Sequence, residues 1–311
     1  MARQHIIRIG TRGSPLALAQ ANEVRRRLLD AHADLGEGGV ELEIIRTKGD
    51  RILDQPLADL GGKGLFTEEI EAALKDGRID LAVHSMKDMP TELPDGLVIG
   101  CVLEREDPRD GFISQKAKHV RDLPNGAVVG TASLRRQAQV LNTRSDLQVV
   151  TLRGNVQTRL DKLKQGQIDA TFLALAGLRR LGLEHQLTAA VDPDDMLPAV
   201  AQGVIGIECR ADDGTAAEIL APLNHADTAT RLAAERAFLA ALDGSCQTPI
   251  AGLAVLDGPV LRLRGQVLSP DGSRSLETER RGDPADAAAL GRDAGGELKQ
   301  RAGPGFFGAD G

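Results

Sequence analysis

Residues 70–83 read IEAALKDGRIDLAV, and residues 159–173 read RLDKLKQGQIDATFL. Each is an amphipathic helix, a glycine stop (Gly77, Gly166), an Ile-Asp pair (Ile79-Asp80, Ile168-Asp169) and an apolar run that reads as a buried strand. A helix feeding directly into a strand, twice in one chain, predicts an α/β fold with parallel strands covered by helices.

Outward from these segments the recurrence continues. Gly10-Thr11-Arg12-Gly13-Ser14 and Gly130-Thr131-Ala132-Ser133 each follow a strand (HIIRIG, AVVGT) and open a helix. VELEIIRT, LQVVTL and ATFLAL read as further strands, and NEVRRRLLDAH and RRQAQVLNT as further helices. Together they predict two α/β domains of similar plan. After residue 222 the pattern changes: a helix (TATRLAAERAFLAAL) leads to DGSCQTP. IAGLAVLDG, PVLRLRGQVL and SRSLETERR then read as antiparallel strands joined by DG and PDG turns, followed by a helix. This predicts a small C-terminal α+β domain, and the tail GPGFFGADG is expected to be loose.

The chain has no Trp, no Tyr and six Phe, which argues against a single-stranded nucleic-acid binder that stacks bases. A net charge of -7 disfavours nucleic acid and anionic membranes as partners. MARQHIIRIG has no signal-peptide segment, and no run approaches the roughly 20 apolar residues of a membrane span. Three scattered cysteines, Cys101, Cys209 and Cys246, predict a reducing, cytoplasmic setting rather than a disulfide framework, and no metal site is expected.

The chemistry gathers at strand-to-helix turns. Arg12 precedes Ser14, a helix N-cap, and Pro15 at the first helical position. Arg135 and Arg136 lie in TASLRRQ, and Arg153 and Arg159 in LRGNVQTR. Such turns lie at the carboxyl edge of a sheet, where free N–H groups favour anions and arginine forks suit carboxylates. Several together predict a site for a small polyanion. LGGKGLFTEEIE places Lys63 in a glycine-rich turn without Walker spacing, with Thr67 as a helix cap. LAVHSMKDMP ends a strand with His84, Ser85, Lys87 and Asp88, a set suited to acid–base or cation-stabilising work. Cys246 sits on a polar loop, where a thiol is more reactive than Cys101 or Cys209 in apolar strands.

TRGSPLALAQ, GGKGLFTEEIE, DLAVHSMKDMP, VGTASLRRQAQ, LRGNVQTRL, ALAGLRRLG, AQGVIGIECR and GSCQTPIA stand in the order and spacing of the porphobilinogen deaminases, which the chain resembles over nearly its whole length. The resemblance implies two domains like type II periplasmic binding proteins and a third carrying a cofactor cysteine. Domain 1 is expected at residues 1–103 and 204–221, domain 2 at 104–203, and domain 3 at 222–311. It implies hydroxymethylbilane synthase activity, four porphobilinogen molecules joined on a dipyrromethane cofactor, by a cytoplasmic monomer. Carried over residue by residue, Cys246 matches the cofactor thioether and Asp88 the catalytic carboxylate. Arg12, Ser14, Lys87, Thr131, Ser133 and Arg135 match positions for cofactor and substrate carboxylates, as do Arg136, Arg153, Arg159 and Arg180. Lys63, Ser85, Asn155 and Gln202 match further cleft positions, and Phe66 an aromatic beside the substrate. Asp59 stands where several relatives carry Lys, and no role is carried to it. The competing class is a two-lobed carboxylate-binding protein without catalysis, which would carry no covalent adduct.

Overall fold

The computed structural model describes residues 6–51, 67–244 and 248–307. From its start the chain runs β1 (Ile7–Thr11), α1 (Pro15–Ala31), β2 (Val40–Ile44), α2 (Lys48–Arg51), α3 (Glu68–Lys75), β3 (Leu81–Ser85) and β4 (Leu97–Val102). Next come β5 (Asp110–Ser114), β6 (Val128–Gly130), α4 (Leu134–Thr143), β7 (Gln148–Val150), α5 (Val156–Lys164), β8 (Ala170–Ala174), α6 (Leu175–Arg180) and β9 (Ala189–Ala190). After β10 (Ile205–Arg210), α7 (Gly214–Leu220) and α8 (Ala226–Ala241) it closes with β11 (Ile250–Asp257), β12 (Val260–Leu268), β13 (Ser275–Gly282) and α9 (Ala287–Ala302).

These elements divide into two compact units, Met1–Arg105 with Val204–Ala229, and Glu106–Gly203 with Thr230–Gly311. The first holds one five-stranded sheet, β2-β1-β3-β10-β4. β1 pairs parallel with β2 and β3, and β10 pairs antiparallel with β3 and β4. The second holds a sheet of the same plan, β7-β6-β8-β5-β9, with β6 parallel to its neighbours and β5 antiparallel to β8 and β9. It also holds the antiparallel sheet β11-β12-β13. The protein is therefore α/β with two parallel-rich sheets and a small C-terminal α+β portion.

The recurring sequences become recurring structure. Gly77 (φ 68) and Gly166 (φ 71) take the left-handed conformation that ends α3 and α5. Asp80 Oδ2 then accepts the Arg8 N–H and Asp169 Oδ2 the Val128 N–H, both at 2.8 Å. Each aspartate so fixes the start of the strand beside its own. Ile79 and Ile168 lie against Gly10 and Gly130, where a Cβ would meet their Cδ1 atoms at 2.3 and 2.7 Å. That contact requires the glycine that opens each turn.

The core of the first unit has two sides. Ile7, Ile9, Leu81, Val83, Ile205 and Ile207 pack on Ala21, Val24 and Leu28 of α1, which recur at helical spacing. Ala82 joins Ile70, Ala73 and Leu74 of α3 on the other side. In the second unit Phe112 and Phe172 pack 5.3 Å apart between centroids. The tail differs from expectation. Phe306 is 3% exposed, with the Arg274 guanidinium 4.5 Å over its ring, so residues 303–307 are anchored by one aromatic.

Candidate active site

In the first unit β1 ends at Thr11, and Arg12 and Ser14 make the turn into α1. Ser14 Oγ accepts the Ala17 N–H at 3.3 Å, the Leu18 N–H bonds the Ser14 carbonyl and Pro15 has no N–H, so the Leu16 N–H is the first-turn donor left for an anion. Two strands away in sequence but adjacent in the sheet, β3 ends at Ser85 and continues as a 3-10 turn over Met86–Asp88. One pocket takes in both ends: Arg12, Ser14, Gln20, Thr67, His84, Ser85 and Asp88 line it. Four residues picked from the sequence, Arg12, Ser14, Ser85 and Asp88, are thus brought together. Lys87 is half-buried on the same turn but does not line the pocket. Asp88 is exposed. Gln20, buried in α1, donates to Ser85 Oγ at 2.8 Å and so holds that hydroxyl at the pocket wall. Arginine and a helix start at one side and a carboxylate at the other suit a small molecule with carboxylates and a positive centre.

In the second unit the arginines are arranged differently from the open fork expected. Arg135 and Arg136 are 4% and 5% exposed at the start of α4, where Ser133 is the N-cap. Arg135 donates to Asp110 Oδ2 at 2.7 Å and to the Leu197 carbonyl at 2.8 Å. Arg136 donates to Asp110 Oδ1 at 2.8 Å and to the Phe172 carbonyl at 2.8 Å. Gln202 donates to the same Asp110 Oδ1 at 3.0 Å. Burial opposes charge on Asp110, but the two guanidiniums outweigh it and hold its carboxyl well below the usual range. Thr131 is buried between β6 and Ser133, and its Oγ1 accepts the Ser133 N–H at 3.1 Å. At the next turn Asn155 caps α5 by accepting the Thr158 N–H at 2.9 Å, and Arg159 donates to the Gly154 carbonyl at 2.9 Å. Arg180, ending α6, donates to the Gly203 carbonyl at 3.0 Å. Arg135 Nε and Arg153 Nε are buried and have no acceptor.

Lys63, Phe66, Asp59 and Cys246, the cysteine expected to carry the cofactor, lie outside the described residues. Cys101 and Cys209 are buried, as their apolar strands predicted, and burial pushes the Cys101 thiol up to about 12. Sequence reading missed Gln20, Asp110 and Glu208. Gln20 sits at a core-facing position of an otherwise apolar helix stripe, a signal that was there to be read.

Residues 7–218 match the family described as "Porphobilinogen deaminase, dipyromethane cofactor binding domain", and residues 229–300 match "Porphobilinogen deaminase, C-terminal domain". The chain belongs to the porphobilinogen deaminase family. It is 60% identical over 304 residues to the porphobilinogen deaminase of Paracoccus denitrificans, covering 98% of this chain and 97% of that one. It is 57% identical over 311 residues to the chloroplastic porphobilinogen deaminase of Oryza sativa, covering 98% of this chain and 87% of that one. A solved methionine-binding protein, MetQ, is similar over 71% of this chain and 90% of its own, with 16% identity and a TM-score of 0.45.

As a porphobilinogen deaminase the chain is a transferase. It condenses four porphobilinogen molecules, with loss of ammonia, into the linear tetrapyrrole hydroxymethylbilane on a dipyrromethane cofactor. The second unit's donors fit that cofactor. A dipyrromethane is a polyanion, and the buried Nε–H groups of Arg135 and Arg153 lack the acceptors that carboxylates supply.

Proposed function

We propose that the pocket at the end of β3 is where porphobilinogen gives up its ammonia, with Asp88 as the catalytic carboxylate. The observation that carries this reading is that Asp88 shares one pocket with Arg12, Ser14 and Ser85. Porphobilinogen brings two carboxylates and an aminomethyl group. Arg12 and the start of α1 take a carboxylate, and Ser85, held by Gln20, offers a further polar contact. Asp88 then lies by the end of the molecule where positive charge grows as the C–N bond breaks. A fixed anion there lowers the barrier without reorganising at the moment of reaction. Lys87, on the same turn, and Lys63 and Phe66 are assigned to the substrate's other groups.

The second unit is assigned to the cofactor and the growing chain. When bound through Cys246, the dipyrromethane supplies the pyrrole carbon onto which units are added. Arg135 and Arg153 would hold its carboxylates through their open Nε–H groups, and Arg136 and Gln202 fix Arg135 by sharing Asp110. Thr131, Ser133, Asn155 and Arg159 at strand-to-helix turns, and Arg180 at the end of α6, present the remaining donors. Domains at 1–103 with 204–221, at 104–203, and at 222–311 are the division proposed for the chain. The break between the two compact units at Gly203 and Val204 supports one boundary of it. A monomer is proposed, as the family resemblance implies. Among the described residues no helix is long and apolar enough to cross a membrane, and a cytoplasmic location is proposed.

The test is single-turnover ammonia release by cofactor-loaded protein. Asp88→Asn keeps the size and removes the charge, and release should fall about a hundred- to a thousandfold. Asp88→Glu keeps the charge and should retain more. Normal release by Asp88→Asn would end the assignment.

A further inference from the structure

We infer that His84 holds the proton set free in each condensation, on its Nδ1 atom, with Glu208 as the positioning residue that leaves that atom available. The inference rests on the reading of the Asp88 pocket above.

The register of β3 and β10 places Gly206 opposite His84 and Glu208 opposite Ala82, so His84 and Glu208 share a face of the sheet. Gly206 puts no side chain opposite His84, and a Cβ there would lie 2.1 Å from Met86 Sδ. His84 Nε2 is 3.0 Å from Glu208 Oε2, and the two residues are 7% and 0% exposed. A carboxylate accepts, so Nε2 carries a hydrogen in the neutral ring and in the protonated one. The hydrogen that comes and goes is therefore the one on Nδ1. Among the described residues His84 makes no other hydrogen bond, and it lines the pocket with Ser85 and Asp88.

A purely structural role explains this arrangement poorly. A buried ion pair is a weak source of stability compared with apolar packing. Here Glu208 Oε1 and Glu71 Oε1 are both buried with no partner. Burial and, after it, the neighbouring Glu208 push the Glu71 carboxyl up. Among the described residues the charged groups placed near His84 are Glu208 from β10, Glu71 from α3, and Arg12 and Asp88 in the same pocket. α1 contributes only neutral residues to that pocket, Leu16, Ala17 and Gln20.

The chemistry supplies the proton. Each unit added breaks one C–N bond and one pyrrole C–H bond and forms one C–C bond. Ammonia leaves with the first. The electron pair of the second returns to the pyrrole ring, and its proton needs an acceptor. His84 Nδ1 takes it and passes it to water through the open pocket. Asp88 is then free to stay an anion facing the substrate's positive charge.

Nitrogen NMR on histidine-labelled protein, as purified, reads the ring directly. The expected result is Nε2–H with a bare Nδ1. In Glu208→Gln the amide can donate or accept, so both tautomers should appear. A wild-type ring with hydrogen on Nδ1 and a bare Nε2 overturns the inference, and this holds even if variants fold poorly. The second arm is single-turnover addition of one porphobilinogen unit, followed by protein mass. His84→Ala should slow it roughly a hundredfold, and added imidazole should restore part of the rate while the dipyrromethane adduct stays unchanged. A normal rate in His84→Ala with a defective Asp88→Asn overturns this inference alone. A normal rate in Asp88→Asn overturns the pocket reading beneath it.

Discussion

Asp110 opens β5 with no solvent exposure and gathers Arg135, Arg136 and Gln202 onto its two oxygens. Removing its charge leaves two buried guanidiniums facing each other. Asp110→Asn should therefore cost about 3–5 kcal/mol in urea unfolding, the range for breaking a buried ion pair. The pH dependence follows from the direction of its shift. Because the folded carboxyl sits below its usual range, its contribution is present above the unfolded value of about 3.9 and lost as acid carries the pH down through the folded value. Asp110→Asn should lack that acid-dependent loss, and unfolding free energies measured from neutral pH into acid check it. An Asn variant as stable as wild type would make the cluster a bystander. The arginines of this cluster were legible from their turns, but their acceptor was not. Asp110 lies 25 residues from Arg135 and 92 from Gln202, and Glu208 lies 124 from His84. A sequence pattern shows neighbours along a strand or helix, and such partners are made by sheet register alone.

The strand–turn–helix elements were the most legible part of the chain, because their signals are local: apolar periodicity, a glycine stop and a Ser or Asn cap. They also carry a prediction of their own. Gly10→Ala places a Cβ 2.3 Å from Ile79 Cδ1 in a packed core, and overpacking of this kind costs roughly 1–3 kcal/mol. Ile79→Val removes that methyl and alone should cost about 0.5–1.5 kcal/mol. Combined, the two should cost less than their sum, since valine vacates the space alanine needs. Simple additivity in thermal or urea unfolding would mean the turn adapts in some other way. The tail was misread for the opposite reason. GPGFFGADG has the composition of a loose end, and for its described residues, 303–307, only the packing of Phe306 beneath Arg274 contradicts it.

At the scale of the whole molecule, two five-stranded sheets of one plan present strand-to-helix turns rich in arginine, serine and threonine. A third portion carries Cys246. The duplicated sheets were legible because their sequences recur, and the family because its motifs stand in order along the chain. The attachment proposed at Cys246 rests only on that resemblance, since a loop cysteine alone does not name its adduct. Cys101 and Cys209 are poor competitors for it, being buried among apolar strands, with the Cys101 thiol pushed up by that burial. The central claim is that this porphobilinogen deaminase works on a dipyrromethane held by Cys246. Intact-protein mass of the purified enzyme tests it most directly. Wild type, Cys101→Ser and Cys209→Ser should each be heavier than their sequences by one dipyrromethane, and Cys246→Ser should not. A wild-type mass equal to its sequence, or an adduct that survives in Cys246→Ser, would contradict the account.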